Sequence, residues 1–189
     1  MKKSVEVKTI VFPTPVFIVG TYDEESKPNV MTVAWGGLCC SDPPCIALSL
    51  RKATYSYGNI VEREAFTVNI PSEAHVKEAD YFGITSGRKK DKFSTTGLTP
   101  VKSDLVDAPY VKEFPLILEC QLLHTLELGL HTQFIGKIMD VKADETVLDE
   151  AGLPDIKKVN PIAFSPGNRI YYKIGEFLAQ AFSIGREVV

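Results

Sequence analysis

The chain has 189 residues and a formal net charge of −3, which suits a single domain over residues 1–189 with a sizeable core. That charge excludes general nucleic-acid binding, for which a strongly basic balance is expected. Hydrophobic residues make up 44% and charged residues 24%, the ordinary proportions of a soluble globular protein.

At the N-terminus, Lys2 and Lys3 imitate the start of a signal peptide, but Glu6, Lys8, Pro13 and Pro15 interrupt the apolar stretch that should follow. The apolar segment 9–22 is far too short to span a membrane. A cytoplasmic protein with no membrane partner is expected. "PVFIVGTY" (15–22) is rich in β-formers, "DEESKPN" is a polar turn, and "VMTVAW" (30–35) completes a hairpin. The strand period puts Asn29, Met31, Val33 and Trp35 on one face and Val30, Thr32 and Ala34 on the other. "WGGLCCSDPP" then turns with small residues that let a flat ligand approach the backbone.

"CIALSL" (45–50) is a third strand. Residues 54–64 suit a short helix capped at Thr54. "AFTVNI" (65–70) is a fourth strand, stopped by Pro71, and residues 72–83 suit a helix with Ser72 as cap and Gly83 as stop. Segment 83–115 is long and polar, and loops of that length are functional or disordered. In "LILECQLLHTLEL" (116–128), Leu116, Leu118, Cys120, Leu122, Leu126 and Leu128 recur at period two, and His124 shares their face as a core histidine. "TQFIGKIMDVKAD" (132–144) is its antiparallel partner, with a bulge or bend at Gly136. "RIYYKIG" (169–175) is a late strand and "GEFLAQAFSIG" (175–185) a last helix. Many strands, few helices and no strict alternation describe a mainly β protein, a barrel with helical insertions.

No GxGxxG, P-loop, HExxH or GxSxG motif occurs. A core of this size does not need disulfides, and the cytosol would keep the four cysteines reduced. Cys39, Cys40 and Cys45 lack CxxC spacing and a second ligand pair for zinc, so buried or half-buried thiols and no metal are expected. From Ser49, two cations, Arg51 and Lys52, are followed by Thr54, Tyr55 and Ser56 at a helix start, where free N–H groups favour an anion. A planar ring beside Asn29–Trp35 and a phosphate beside Ser49–Ser56 would account for this mixture; a solvated turn with a helix cap would use the same residues. Arg88, Lys89, Lys90 and Lys92 of "SGRKKDKF" would neutralise a phosphate or form a solvated charge run. Of the other histidines, His75 lies on an exposed helix, whereas His131 stands at a turn where a polar group can face a ligand.

The run from Asn29 to Ile70 resembles the first half of the flavin reductase-like, FMN-binding split-barrel family, in particular its flavoredoxin type. It carries an N-x-M-T-x-x-W strand, a D-P-P turn, a strand ending in Arg-Lys, a Thr-x-x-x-x-N-I helix and a strand ending V-N. "SGRKKDKF", "GLHTQFIGKIMDV" and "YYKIGE" resemble later pieces of the same pattern in the same order. The resemblance implies a homodimeric Greek-key split barrel with one non-covalent FMN per subunit and NAD(P)H or a redox protein as electron donor. It places Asn29, Thr32, Ala34 and Trp35 along the ring or in support of it, and has the turn at Cys39 and Cys40 offer backbone groups to the ring. Ser49, Arg51, Lys52, Thr54, Tyr55 and Ser56 would hold the phosphate, Lys92 would reach the flavin, and His131 would face its open side. Ala34, Cys39 and Cys40 stand where many members have Ser or Thr, which changes the surroundings of the ring.

Overall fold

The computed structural model describes residues 1–188. Strands β1 (Thr14–Pro15), β2 (Phe17–Tyr22), β3 (Pro28–Val33), β4 (Gly36–Ser41) and β5 (Pro44–Arg51) lead into helix α1 (Tyr55–Arg63) and strand β6 (Ala65–Ile70). Helices α2 (Val76–Ile84) and α3 (Lys92–Thr96) precede the short strands β7 (Pro100–Lys102) and β8 (Pro109–Val111). The long strands β9 (Leu116–Leu128) and β10 (His131–Ala143) follow, then α4 (Ile156–Val159), β11 (Ile162–Ser165) and β12 (Ile170–Lys173).

The main sheet is antiparallel with order β3-β2-β6-β9-β10-β5-β4. Its two edge strands, β3 and β4, are joined through Ala34 and Trp35 alone. So short a link forces the sheet to curl until its edges meet, which makes a barrel. The closure stays incomplete: β3 faces β5 across a seam with no ladder between them. This is a split barrel.

Two apolar layers hold it. Val19, Val33, Leu48, Leu50, Phe66, Val68 and Phe134 fill the barrel interior. Ile18, Val30, Phe82, Phe93, Phe114 and Ile117 pack the outer face under α2 and α3. β2 is buried on both faces, which is why "FIV" reads as a continuous apolar run rather than an alternation. Gly136 is required because a Cβ there would lie 2.4 Å from the Phe66 ring. Asn69 donates to Ile18 O at 2.8 Å and accepts from Val111 N at 2.8 Å, tying β6 to β2 and to the β8 strap.

Several expectations change. Segment 83–115 is not a loop but holds α3, capped by Asp91 accepting from Ser94 N at 3.1 Å, and the β7–β8 pair. Residues 36–41, read as a turn, form the edge strand β4. Residues 175–185 form no α-helix, because Phe177, Leu178 and Phe182 find no surface to cover and a short helix without tertiary packing is marginal. His75 is half-buried, its ring 5.2 Å from Phe114.

His124 is exposed rather than in the core. Ile135 pairs with His124 and Gly136 with Leu122, so Leu123 is an extra, bulged residue. The bulge lies beside Gly136, as expected, but it moves His124, Leu126 and Leu128 to the opposite face from Leu116–Leu122. β6 pairs with β9 only as far as Gln121, so the distal half of β9 also keeps an open edge. Cys45 and Cys120 are buried, but Cys39 and Cys40 are exposed because they lie on the edge strand.

Candidate functional site

The seam between β3 and β5 is a cleft of about 230 Å³. Met31, Thr32, Val33, Ala34 and Trp35 form one wall, and Ser49, Leu50 and Arg51 the other. Residues from both faces of the β3 segment line the cleft, against the expected division, because it opens along the unpaired edge of the strand. The Ser49 N–H donates to Trp35 O at 2.8 Å and holds the walls at one end. Phe164 and Tyr171 come from the small sheet β1-β11-β12 and make an aromatic border, their centroids 5.4 Å apart. Tyr171 donates to Asp80 Oδ1 at 2.9 Å, and burial, then Asp80, pushes its hydroxyl up to about 12. His131, the first residue of β10, pairs in register with Arg51 and lines the same end. Arg51 is exposed and makes no ion pair among the described residues.

Past Met31, Thr54 and Gly83 the cleft continues into a polar pocket of about 250 Å³. This end is built around the start of α1. Thr54 has extended backbone and makes no side-chain cap; its hydroxyl donates instead to Arg51 O at 2.9 Å. The first turn carries no acidic residue, so its N–H groups and helix dipole stay available to an anion. Asn29 donates to Ser56 Oγ at 2.9 Å, while its buried Oδ1 has no partner. Gly87 covers that oxygen so closely that a Cβ would lie 2.0 Å away. Tyr55 donates to Asp23 Oδ2 at 2.7 Å, and that bond, with burial, holds its hydroxyl protonated up to about 12. Arg88 donates to Ala53 O at 2.8 Å and lies 5.2 Å from the Tyr55 ring centroid, which puts a cation at the mouth.

Lys92 is 4% exposed, and its ammonium donates to Val30 O at 2.7 Å and Phe82 O at 2.9 Å. Burial pushes it down to about 8. It lines the polar pocket, but both bonds go to backbone, so it pins β3 and α2 together through α3. Thr32 Oγ1 similarly donates to Ala79 O on α2.

The cleft thus brings together Asn29, Thr32, Ala34, Trp35, Ser49, Arg51, Thr54, Tyr55, Ser56, Lys92 and His131. It does not include Cys39, Cys40 or Lys52. The two cysteines lie further along β4, towards its loop, and Lys52 pairs with Glu127 at 2.8 Å on the neighbouring hairpin. Val16, Phe164 and Tyr171 line the cleft and were not foreseen, because their approach is set by the small sheet and leaves no local signal.

The sequence pattern of the flavin reductase like domain family matches residues 9–168, and the chain belongs to that family. It is similar to the flavoredoxin of Desulfovibrio vulgaris (Miyazaki F), at 60% identity over 98% of this chain and 100% of that one, with a TM-score of 0.94. The flavoredoxin from Methanosarcina acetivorans is 29% identical over the full length of both chains, with a TM-score of 0.91. A protein of Archaeoglobus fulgidus is 34% identical over 69% of this chain and 72% of its own.

Proposed function

We propose that the chain holds one FMN in this cleft and acts as an oxidoreductase of the flavoredoxin type. Electrons would come from NAD(P)H or a redox protein and pass to free flavin, ferric iron or a protein acceptor. The observation that carries the reading is one continuous cleft with an apolar, aromatic-bordered seam at one end and an uncapped α1 N-terminus at the other. The unpartnered Asn29 Oδ1 is a buried acceptor, which a hydroxyl of the ribityl chain would satisfy and the phosphate would not. A flat ring system ending in a terminal phosphate fits that order of surfaces. The 60% identity to a flavoredoxin supports the same choice.

In this reading Met31 and Val33 of β3, with Ala34 and Trp35 of the link to β4, hold the ring and exclude water from one side of it. Arg51, with the N–H groups and hydroxyls of Thr54–Ser56, holds the phosphate. Bound FMN would supply the redox chemistry that these side chains lack. His131, beside Arg51 at the open end, orients the arriving donor. Lys92 keeps β3 and α2 in place rather than reaching the cofactor. Cys39, Cys40 and Lys52 have no part in the cofactor site.

The active unit is a homodimer. Leu123, Leu126, Leu128 and Leu130 are all exposed at the distal β9–β10 hairpin, next to the unpaired edge of β9. An open edge with an apolar row invites a second copy. Four free thiols suit a reducing compartment such as the cytoplasm. No helix among the described residues is long and apolar enough to cross a membrane.

The purified protein should be yellow and should release FMN, not FAD, on acid extraction. Colourless protein that fails to bind added FMN at micromolar concentration overturns the reading. Anaerobic stopped flow then separates the two kinds of donor. Rapid bleaching by NADH or NADPH makes the protein a reductase, and bleaching only by a reduced redox protein makes it a carrier.

A further inference from the structure

The β4–β5 hairpin carries three thiols towards its loop, away from the cleft, and nothing in the cofactor site uses them. Leu38 pairs with Ile46 and Cys40 with Cys45, so Cys39 is the extra residue of a bulge. Without that bulge Cys39 would stand opposite Cys45; with it, Cys40 does. Directly opposed residues of antiparallel strands have Cα atoms about 4.5–5.5 Å apart. That separation falls inside the window of about 4.4–6.8 Å that a disulfide spans. Opposed side chains also share a face of the hairpin.

The two thiols differ in the way an exchange reaction needs. Cys40 is exposed on the edge strand, with its sulfur 3.3 Å from Asp42 O, whereas Cys45 is buried behind it. Burial raises the Cys45 thiol, and the sulfurs of Cys40 and Cys39 add to this; Lys137, opposite Cys45 on β10, works the other way. Cys120 is buried two strands away, on β9.

We propose that Cys40 and Cys45 form a reversible dithiol–disulfide couple that exchanges with low-molecular-weight disulfides. The Cys40 thiolate attacks one sulfur of the incoming disulfide. The reagent's S–S bond breaks, its first half leaves as a thiolate and takes up a proton, and a mixed disulfide remains on Cys40. Cys45 gives up its proton and attacks the Cys40 sulfur, expelling the second half as a thiol. The protein loses two protons and two electrons, and the reagent takes them up to become two thiols. The product staples edge strand β4 to β5. At the other end of the same hairpin, Ser49 N–H and Trp35 O join at 2.8 Å in the cleft wall, so the oxidised hairpin stiffens that wall.

The test is incubation of the reduced protein with glutathione disulfide, followed by intact mass and peptide mapping. The wild type should lose two hydrogens, keep no glutathione, and show a bond between the peptides of Cys40 and Cys45. Cys39→Ser should behave identically. Cys45→Ser should stop at one glutathione on Cys40, and dithiothreitol should reverse every product. Three results overturn the proposal: wild-type thiols that do not react, a stable glutathione adduct on the wild type, or a bond that disappears in Cys39→Ser.

Discussion

The two ends of the cleft are made differently. The α1 end is dense with internal bonds: Asn29 to Ser56, Tyr55 to Asp23, Arg88 to Ala53, and Lys92 to Val30 and Phe82. The seam end is walled by Met31, Val33, Trp35 and Leu50, with Arg51 and His131 at its rim. The first end holds its shape without a ligand; the second relies on strands that meet without pairing. Stability should therefore concentrate at the α1 end, and effects on cofactor affinity and on rate at the seam.

Lys92 is the strongest test of that division. Lys92→Ala removes the donor of two buried carbonyls and leaves a cavity among Val30, Phe82 and Phe93. We expect a loss of about 2–5 kcal/mol, read from a lowered denaturant midpoint at constant m-value. Trp35→Ala should cost much less, because Trp35 is 40% exposed, and should act mainly on cofactor affinity. Equal destabilisation by both would erase the contrast. Arg51→Ala comes next. Its guanidinium is free of ion pairs among the described residues and stands beside the uncapped helix, so loss of a charge-assisted bond should weaken FMN binding by about 1.5–3 kcal/mol. Unchanged affinity of the refolded apoprotein would move the phosphate towards Arg88.

His131→Ala probes the seam. A donor arriving there needs orientation, so flavin reduction should slow about tenfold, equivalent to about 1.4 kcal/mol, while FMN stays bound. A much lower melting temperature with an unchanged rate per bound FMN would make His131 structural.

Local pattern carried most of this architecture. β2, β3, β5, β6, β9 and β10 follow from apolar runs and alternation, and α1 from its spacing, although the Thr54 hydroxyl does not cap it. Features set by partners distant in sequence were not legible. The bulge at Leu123 turned His124 outwards although the alternation continued unbroken through the letters. "GGLCCS" reads as a turn because an edge strand need not be apolar; only its pairing with β5 makes it a strand. Phe164 and Tyr171 reach the cleft through a sheet whose first strand is 150 residues from its partner, as the Thr14 Oγ1 to Phe164 O bond shows. Among the motif residues, Asn59 and Asn69 are structural: Asn59 donates to Thr21 Oγ1 at 3.0 Å, and Asn69 ties β6 to β2. A motif thus marks positions that the fold needs as well as positions that touch a ligand.

The smallest expected effect separates the charge of Lys92 from its packing. Burial holds its folded pKa at about 8, below the 10.5 of the free side chain. Between those values the unfolded chain binds more protons than the folded one, so stability rises with pH. The contribution is complete above 10.5 and lost as pH falls through 8. From pH 8 to pH 9 it should add about 1 kcal/mol. The buried thiols of Cys45 and Cys120 are raised and act in the opposite direction, because the unfolded chain gives up their protons first. Their contribution is common to the wild type and to Lys92→Met, which keeps the apolar stem and cannot titrate. The difference between the two proteins in denaturant unfolding should therefore grow by about 1 kcal/mol in favour of the wild type over that one pH unit. A difference independent of pH would mean that the carbonyls of Val30 and Phe82 stabilise the ammonium enough to offset its burial, and the α1 end would then be held by a charge at no electrostatic cost.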